Sequence, residues 1–179
     1  MKNVYLDWAA TSIPDSGILN EIYKTSIETF ANASSLHSIG LKAKKLLEIS
    51  RQLCADALKV DRKNIFFTSG GTESNNISIY SIIRKKAKGT VLSTNIEHPS
   101  VLQPLKQLER MGFDIVKIDC EENGIINPDK IEENFTEKTV LVSVIHINNE
   151  TGAIQPINNI SEKVNKYAKY VIGGGLAVH

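Results

Sequence analysis

Apolar side chains recur at three- and four-residue intervals through Ile18, Leu19, Ile22, Tyr23, Ile27 and Phe30, which puts them on one face of an amphipathic helix. Leu46, Leu47, Leu53, Cys54, Ala57 and Leu58 repeat that spacing in a second, longer helix, for which Ser34 or Ser35 is the expected N-cap. The pattern then changes. Ile65-Phe66-Phe67-Thr68 is a short β-branched and aromatic run halted by Ser69-Gly70-Gly71, and it reads as a buried strand. Further strands are predicted at residues 90–94, 114–118 and 139–145, with helices near 73–87, 100–111, 128–134 and 157–168. Strand and helix alternating in this way predict an α/β fold, a mostly parallel sheet with flanking helices. The last ten residues begin like another strand, Tyr170-Val171-Ile172, but Gly173-Gly174-Gly175 weakens it.

Composition narrows the function. The chain has 179 residues, 41% hydrophobic and 23% charged, enough for one sizeable core without disulfide or metal staples. Twenty-one basic residues against twenty acidic ones give a net charge of +1. So flat a balance argues against a nucleic-acid partner and against a polybasic membrane-surface role. No apolar run approaches the roughly 20 residues that span a bilayer, and Asp7 interrupts the N-terminus before a signal-peptide core could form. Cys54 and Cys120 make neither a disulfide framework nor a Cys-x-x-Cys pair. These features point to a reducing, cytoplasmic compartment and to a protein that handles a small molecule.

Three polar segments carry the candidate chemistry. Phe67-Thr68-Ser69-Gly70-Gly71-Thr72-Glu73-Ser74-Asn75-Asn76 opens a predicted helix, where free backbone N–H groups and the helix dipole would face an anion. The lysine of a Walker loop and the third glycine of a dinucleotide fingerprint are missing, and a turn capped by Ser69 or Thr72 is the plainer alternative. Glu97-His98-Pro99-Ser100 follows a strand, where a histidine can stack on an aromatic ligand or move a proton, or simply cap the next helix. His146-Ile147-Asn148-Asn149-Glu150-Thr151-Gly152 also follows a strand, and its amides suit either ligand binding or turn chemistry. The four histidines are scattered and form no ligand pair, so no metal site is expected. Cys54 reads as a buried small hydrophobe, and Cys120 has no activating neighbour in sequence.

Taken in order, these segments resemble the N-terminal half of the cysteine desulfurases, class V members of the fold-type I enzymes that use pyridoxal 5'-phosphate (PLP). The matching pieces are Tyr5-Leu6-Asp7-Trp8-Ala9-Ala10-Thr11, Asn32-Ala33-Ser34-Ser35-Leu36-His37-Ser38-Ile39-Gly40, the segment from Phe67 to Asn76, Glu97-His98-Pro99-Ser100-Val101 and Asn148-Asn149-Glu150-Thr151-Gly152. Residues 1 to about 169 are covered. The resemblance implies that Gly71 and Thr72 hold the PLP phosphate and that His98 stacks on the pyridine ring, with a part in proton transfer. It implies that Asn149 bonds the cofactor's phenolic oxygen or the substrate carboxylate. The implied reaction takes L-cysteine to L-alanine and an enzyme persulfide, which supplies sulfur-acceptor proteins for iron–sulfur cluster assembly or thiolation. A homo-oligomer is implied as well. Residues 1–15 would be a segment that packs on a small second domain, and 16–179 a partial, truncated PLP-binding large domain.

The sequence departs from the family pattern in places. Trp8 stands where the family often has Asn, and Ala33 where it commonly has Pro. After Lys169 the family has an Asp that pairs with the pyridine nitrogen, a Ser-x-His-Lys motif whose lysine attaches the cofactor, a sulfur-accepting cysteine and a carboxylate-binding arginine. None of these is present in this sequence. The expectation is therefore little or no desulfurase activity from these 179 residues alone, and doubtful PLP retention. The competing readings are a non-catalytic scaffold, one half of a split enzyme, and another class V aminotransferase.

Overall fold

A computed structural model describes residues 4–85 and 88–165. The predicted helical positions 86–87 and 166–168, and the glycine-rich tail, lie outside the described residues. The chain divides into two compact units, one running to Phe67 and the other starting at Thr68.

In the first unit, α1 (Ser16–Glu28) begins at Asp15, whose Oδ1 accepts from Ile18 N at 2.9 Å. The second helix, α2 (Ser38–Leu58), is capped by His37 and not by Ser34 or Ser35: its Nδ1 accepts from Gly40 N at 3.2 Å. The serines are engaged one turn earlier, where Asn32 Oδ1 accepts from Ser34 N at 2.8 Å and Asn32 O from Ser35 N at 3.0 Å. That turn packs so closely on α2 that a Cβ at Gly40 would sit 2.5 Å from Ser35 O, so only glycine fits. Lys59, at φ 55°, ends α2 with a left-handed cap. Cys54 is half-buried and not enclosed as its place on the apolar stripe suggested. Near the N-terminus the chain folds locally on itself. Tyr5 OH donates to Asp7 O at 2.7 Å, and the Tyr5 and Trp8 rings meet edge to face at 5.4 Å.

The run Ile65–Thr68 begins extended at Ile65 but is not a strand. Among the described residues no neighbour pairs with it, and Phe66 is 81% exposed. Strand propensity measures fit to a pleated, half-buried surface, so without a neighbouring strand it produces no ladder. Arg51 tethers the run instead, donating from Nη1 to Ile65 O at 2.9 Å with its guanidinium 5.1 Å from the centre of the Phe67 ring.

In the second unit, α3 (Gly71–Tyr80) tightens into a 3-10 turn, Ser81–Lys85, before β1 (Thr90–Thr94). Then come α4 (Pro99–Arg110), β2 (Asp114–Ile118), α5 (Pro128–Asn134), β3 (Thr139–Ser143) and α6 (Ile157–Asn165). The three strands lie in the order β2-β1-β3, all parallel, as the alternating pattern predicted. The central strand β1 and its neighbour β3 each feed both faces. Val91 and Leu141 pack with Ile79, Val101, Leu105 and Leu108 on the side of α3 and α4. Leu92 and Val142 pack with Ile126, Ile131, Ile160 and Val164 on the side of α5 and α6. A register shift between Thr90 and Val91 bulges β3 at Val140. Gly89 accommodates it, since a Cβ there would come 2.5 Å from Val140 Cγ1.

Lys163 ties the two helices of the second face together, reaching Asp129 Oδ1 at 2.7 Å and Glu132 Oε2 at 2.5 Å. Those hydrogen bonds, Asp129's first, hold its ammonium well above the ordinary lysine value. A lysine raised in this way stabilises the fold fully below the unfolded lysine pKa, and the contribution is lost only as pH climbs through the folded one. Lys163→Met is therefore expected to lower the melting temperature by a few degrees across the neutral range. The difference should shrink in 1 M salt because the ion pair is solvent-screened. Thermal denaturation at two salt concentrations checks it.

Candidate functional site

The segment opening α3 is a preformed turn. Ser69 N donates to Glu73 Oε2 at 2.5 Å, Thr68 Oγ1 to Gly70 O at 3.1 Å, and Ser74 N to Gly70 O at 3.1 Å. The Ser69 hydrogen bonds, backbone first and side chain second, hold the Glu73 carboxyl below its ordinary range. Gly70 occupies the N-cap and supplies no side-chain cap, so neither Ser69 nor Thr72 fills the role that the plainer sequence reading gave them. A Cβ built on Gly70 or Gly71 would meet nothing within 4 Å. The first turn of α3 therefore has no side-chain cap from Gly70, room beside its two glycines, and the positive end of the helix dipole behind it.

His98 follows β1 and caps α4, its Nδ1 accepting from Ser100 N at 3.0 Å with Pro99 at the first helical position. Beside it, Glu97 turns inward and is only 7% exposed. Its Oε1 accepts from Thr94 Oγ1 at 2.8 Å and from Ile145 N at 2.7 Å. Burial raises the Glu97 carboxyl above its ordinary value, against the downward pull of hydrogen bonds from Thr94, Ile145 and Ser143. This carboxyl also explains why β3 stops at Ser143 and not at residue 145. The Ile145 N–H goes to Glu97 and not to a neighbouring strand.

The loop after β3 is organised by Asn148. Its Oδ1 accepts from Glu150 N at 3.0 Å, Thr151 N at 2.9 Å and Thr151 Oγ1 at 3.1 Å, while its Nδ2 donates to Ile96 O at 3.0 Å. Asn148 is thus a structural amide that pins this loop to the one bearing His98. Asn149 is half-buried, and among the described residues its amide has no hydrogen-bond partner. The remainder of the loop is held by buried Gln155, which accepts from Ile126 N at 2.8 Å and donates to Gly124 O at 2.8 Å.

Two of the three polar segments therefore meet at the carboxyl edge of the parallel sheet, joined through Glu97 and Asn148. The first segment joins them by another route. Thr72 and His98 line one cavity of about 480 Å³, together with Asn76, Tyr80, Ser100 and Gln107. It follows no strand, so its place comes from α3 packing on α4 and not from the sheet order the sequence suggested. Glu97, Ser100 and Asn75 are structural members of this region whose roles no motif disclosed, and Asn148 takes the turn role that was one of the two open to its segment. Cys120 lies at the end of β2, half-buried, its N–H donating to Asn95 Oδ1 at 3.2 Å.

A parallel sheet with helices on both faces and polar loops at its carboxyl edge belongs to the open-sheet α/β class, which takes its ligands there. A family model described as aminotransferase class-V matches residues 4–173, and the chain belongs to that family. It is 40% identical over 163 residues to the cysteine desulfurase IscS 1 of Archaeoglobus fulgidus, covering 90% of this chain and 43% of that protein. It is 37% identical over 163 residues to the cysteine desulfurase IscS of Clostridium botulinum strain Hall, covering 90% and 41%. Among solved structures, one described as SspA in complex with cysteine superposes with a TM-score of 0.89 at 32% identity, covering 94% of this chain and 49% of that one. A NifS-like protein gives a TM-score of 0.85 at 32% identity, covering 92% and 46%. The chain spans less than half the length of these relatives, as a resemblance to the N-terminal half requires. No helix among the described residues is long and apolar enough to cross a membrane.

Proposed function

We propose that this chain supplies the phosphate-binding turn and the ring-facing loops of a cytoplasmic, PLP-dependent cysteine desulfurase. The observation that carries this reading is the cavity wall shared by His98 and Thr72, the latter in the first turn of α3, whose N-cap makes no side-chain hydrogen bond. The residues fit such a cofactor. Beside Gly70 and Gly71 there is open space that a dianionic phosphate could occupy against α3. A half-buried amide at Asn149 is available as a hydrogen-bond donor or acceptor. When bound, PLP supplies an electron sink for a carbanion next to the amino-acid nitrogen.

In this reading Gly71 and Thr72 bind the phosphate with backbone N–H groups and the Thr72 hydroxyl. His98 stacks its ring on the cofactor, and Asn149 orients the cofactor oxygen or the substrate carboxylate. The proposed substrate is L-cysteine, and its sulfur passes to an acceptor protein. The lysine that attaches the cofactor would come from residues beyond those matched here, whether on the same polypeptide or on a partner. The protein is proposed to work as a homo-oligomer.

The experiment is an absorption titration of the purified chain with PLP, followed by borohydride reduction and peptide mapping. Saturable, phosphate-competed binding supports the reading, and binding spread over surface lysines overturns it. Thr72→Ala is expected to weaken PLP binding by about threefold to fivefold, the loss of one hydroxyl hydrogen bond to a charged group. Free pyridoxal, which has no phosphate, should not discriminate between the variant and the parent chain.

A further inference from the structure

Two groups of Ser100 converge on one ring nitrogen of His98, and a third group, from α3, reaches the hydroxyl among them. Ser100 N donates to His98 Nδ1 at 3.0 Å, and Ser100 Oγ lies 2.7 Å from the same atom. Asn75 Nδ2, on α3, lies 2.9 Å from Ser100 Oγ. The proton positions follow from what each group can do. A backbone N–H only donates, so Nδ1 is an acceptor and holds no proton. The hydroxyl has a single hydrogen, and beside a bare Nδ1 that hydrogen points to the ring. Its oxygen is then left to accept, and only the NH₂ end of the Asn75 amide can donate to it. The direction Asn75 to Ser100 to His98 is fixed, and a neutral imidazole with a bare Nδ1 carries its proton on Nε2.

We infer that Asn75 and Ser100 are positioning residues that hold His98 in one orientation and in the Nε2–H tautomer. His98 then serves the cofactor site as a ring face with its proton held on Nε2, and does not accept a proton through Nε2 in this state. The cofactor clause rests on the proposed function, whereas the tautomer does not. Helix capping accounts for the Ser100 N bond alone. It does not account for the hydroxyl at the same nitrogen, or for an amide 25 residues away in sequence that orients it. Asn75 sits three residues after Thr72 on the same helix. The element that offers its N-terminus to the phosphate therefore also aligns the ring, and a shift of α3 would move both together.

The test reads the imidazole nitrogens directly in the full 179-residue chain. Long-range proton–nitrogen correlation spectra are recorded on ¹⁵N-labelled protein at about pH 8.5, above the ordinary histidine value, and His98 is assigned by its loss in His98→Ala. The expected spectrum has a protonated Nε2 and a bare Nδ1. Ser100→Ala and Asn75→Asp should each shift the tautomer ratio toward Nδ1–H by about fivefold, the effect of one hydrogen bond. In Asn75→Asp the new carboxylate takes the Ser100 hydroxyl proton away from the ring while keeping the side-chain shape. Ser100→Thr, which keeps the hydroxyl, should restore the parent spectrum. A bare Nε2 in the parent chain overturns the inference, and so do variants that melt earlier with the tautomer unmoved. Should the tautomer behave as expected while His98→Ala binds PLP as the parent does, the positioning stands and the cofactor role of the ring falls.

Discussion

Glu97→Ala is expected to lower the unfolding free energy by about 2–4 kcal/mol, read by urea denaturation followed by circular dichroism. The substitution leaves the Ile145 N–H and the Thr94 hydroxyl without an acceptor in a buried place, and each orphaned buried group costs about 1–3 kcal/mol. Glu97→Gln keeps an acceptor oxygen and should cost about 1 kcal/mol or less. The two variants also separate hydrogen bonding from charge. Burial raises the folded carboxyl above its ordinary value of 4.5. Below the ordinary value both states are protonated and the residue imposes no penalty. As pH rises, the unfolded chain loses its proton first, so stability falls until the folded carboxyl ionises too, and is flat beyond that. The parent chain should therefore lose stability relative to Glu97→Gln as pH rises from about 4 through the glutamate range. A gap that widens in the parent's favour instead would show that the hydrogen bonds outweigh burial.

The second large effect is expected at His98, where two roles share one side chain. His98→Ala removes the α4 cap, which costs about 1 kcal/mol of stability. It also removes the ring, and PLP binding should weaken about fivefold to tenfold, the worth of one aromatic stacking contact. His98→Asn separates these roles because asparagine is a strong N-cap with no ring. Denaturation should show its stability restored, and the PLP titration should show its affinity still reduced. Recovery of both would mean that His98 acts only through the helix.

Much of this layout was legible in the pattern of residues. The strands at 90–94 and 114–118 were placed to the residue: the first is a run buried throughout, and the second is a short β-branched run at the sheet edge that alternates with exposed Asp114 and Lys117. Helix α5 was equally plain, since Asn127 and Pro128 mark its start. The errors have a common origin. Ile65–Thr68 has strand composition and no partner strand among the described residues, and α2 is capped by His37 because the Asn32 turn, with both serines in it, delays the start of the helix to Ser38. The end of β3 was misplaced by two residues because the Ile145 N–H belongs to a glutamate 48 positions earlier in the chain.

By itself the sequence determined the elements and the order of polar segments, because hydrophobic period, caps and glycines act over a few residues at a time. Those same segments carried the family resemblance, and with it the expectation of PLP and cysteine chemistry. Only the tertiary structure decided which polar residue is spent on the fold and which remains for a ligand. Asn148 and Asn149 are adjacent and identical in kind, yet the first bonds four groups of the protein and the second bonds none among the described residues. Hydrogen bonding between distant segments makes that distinction, and it depends on distances that no local pattern encodes.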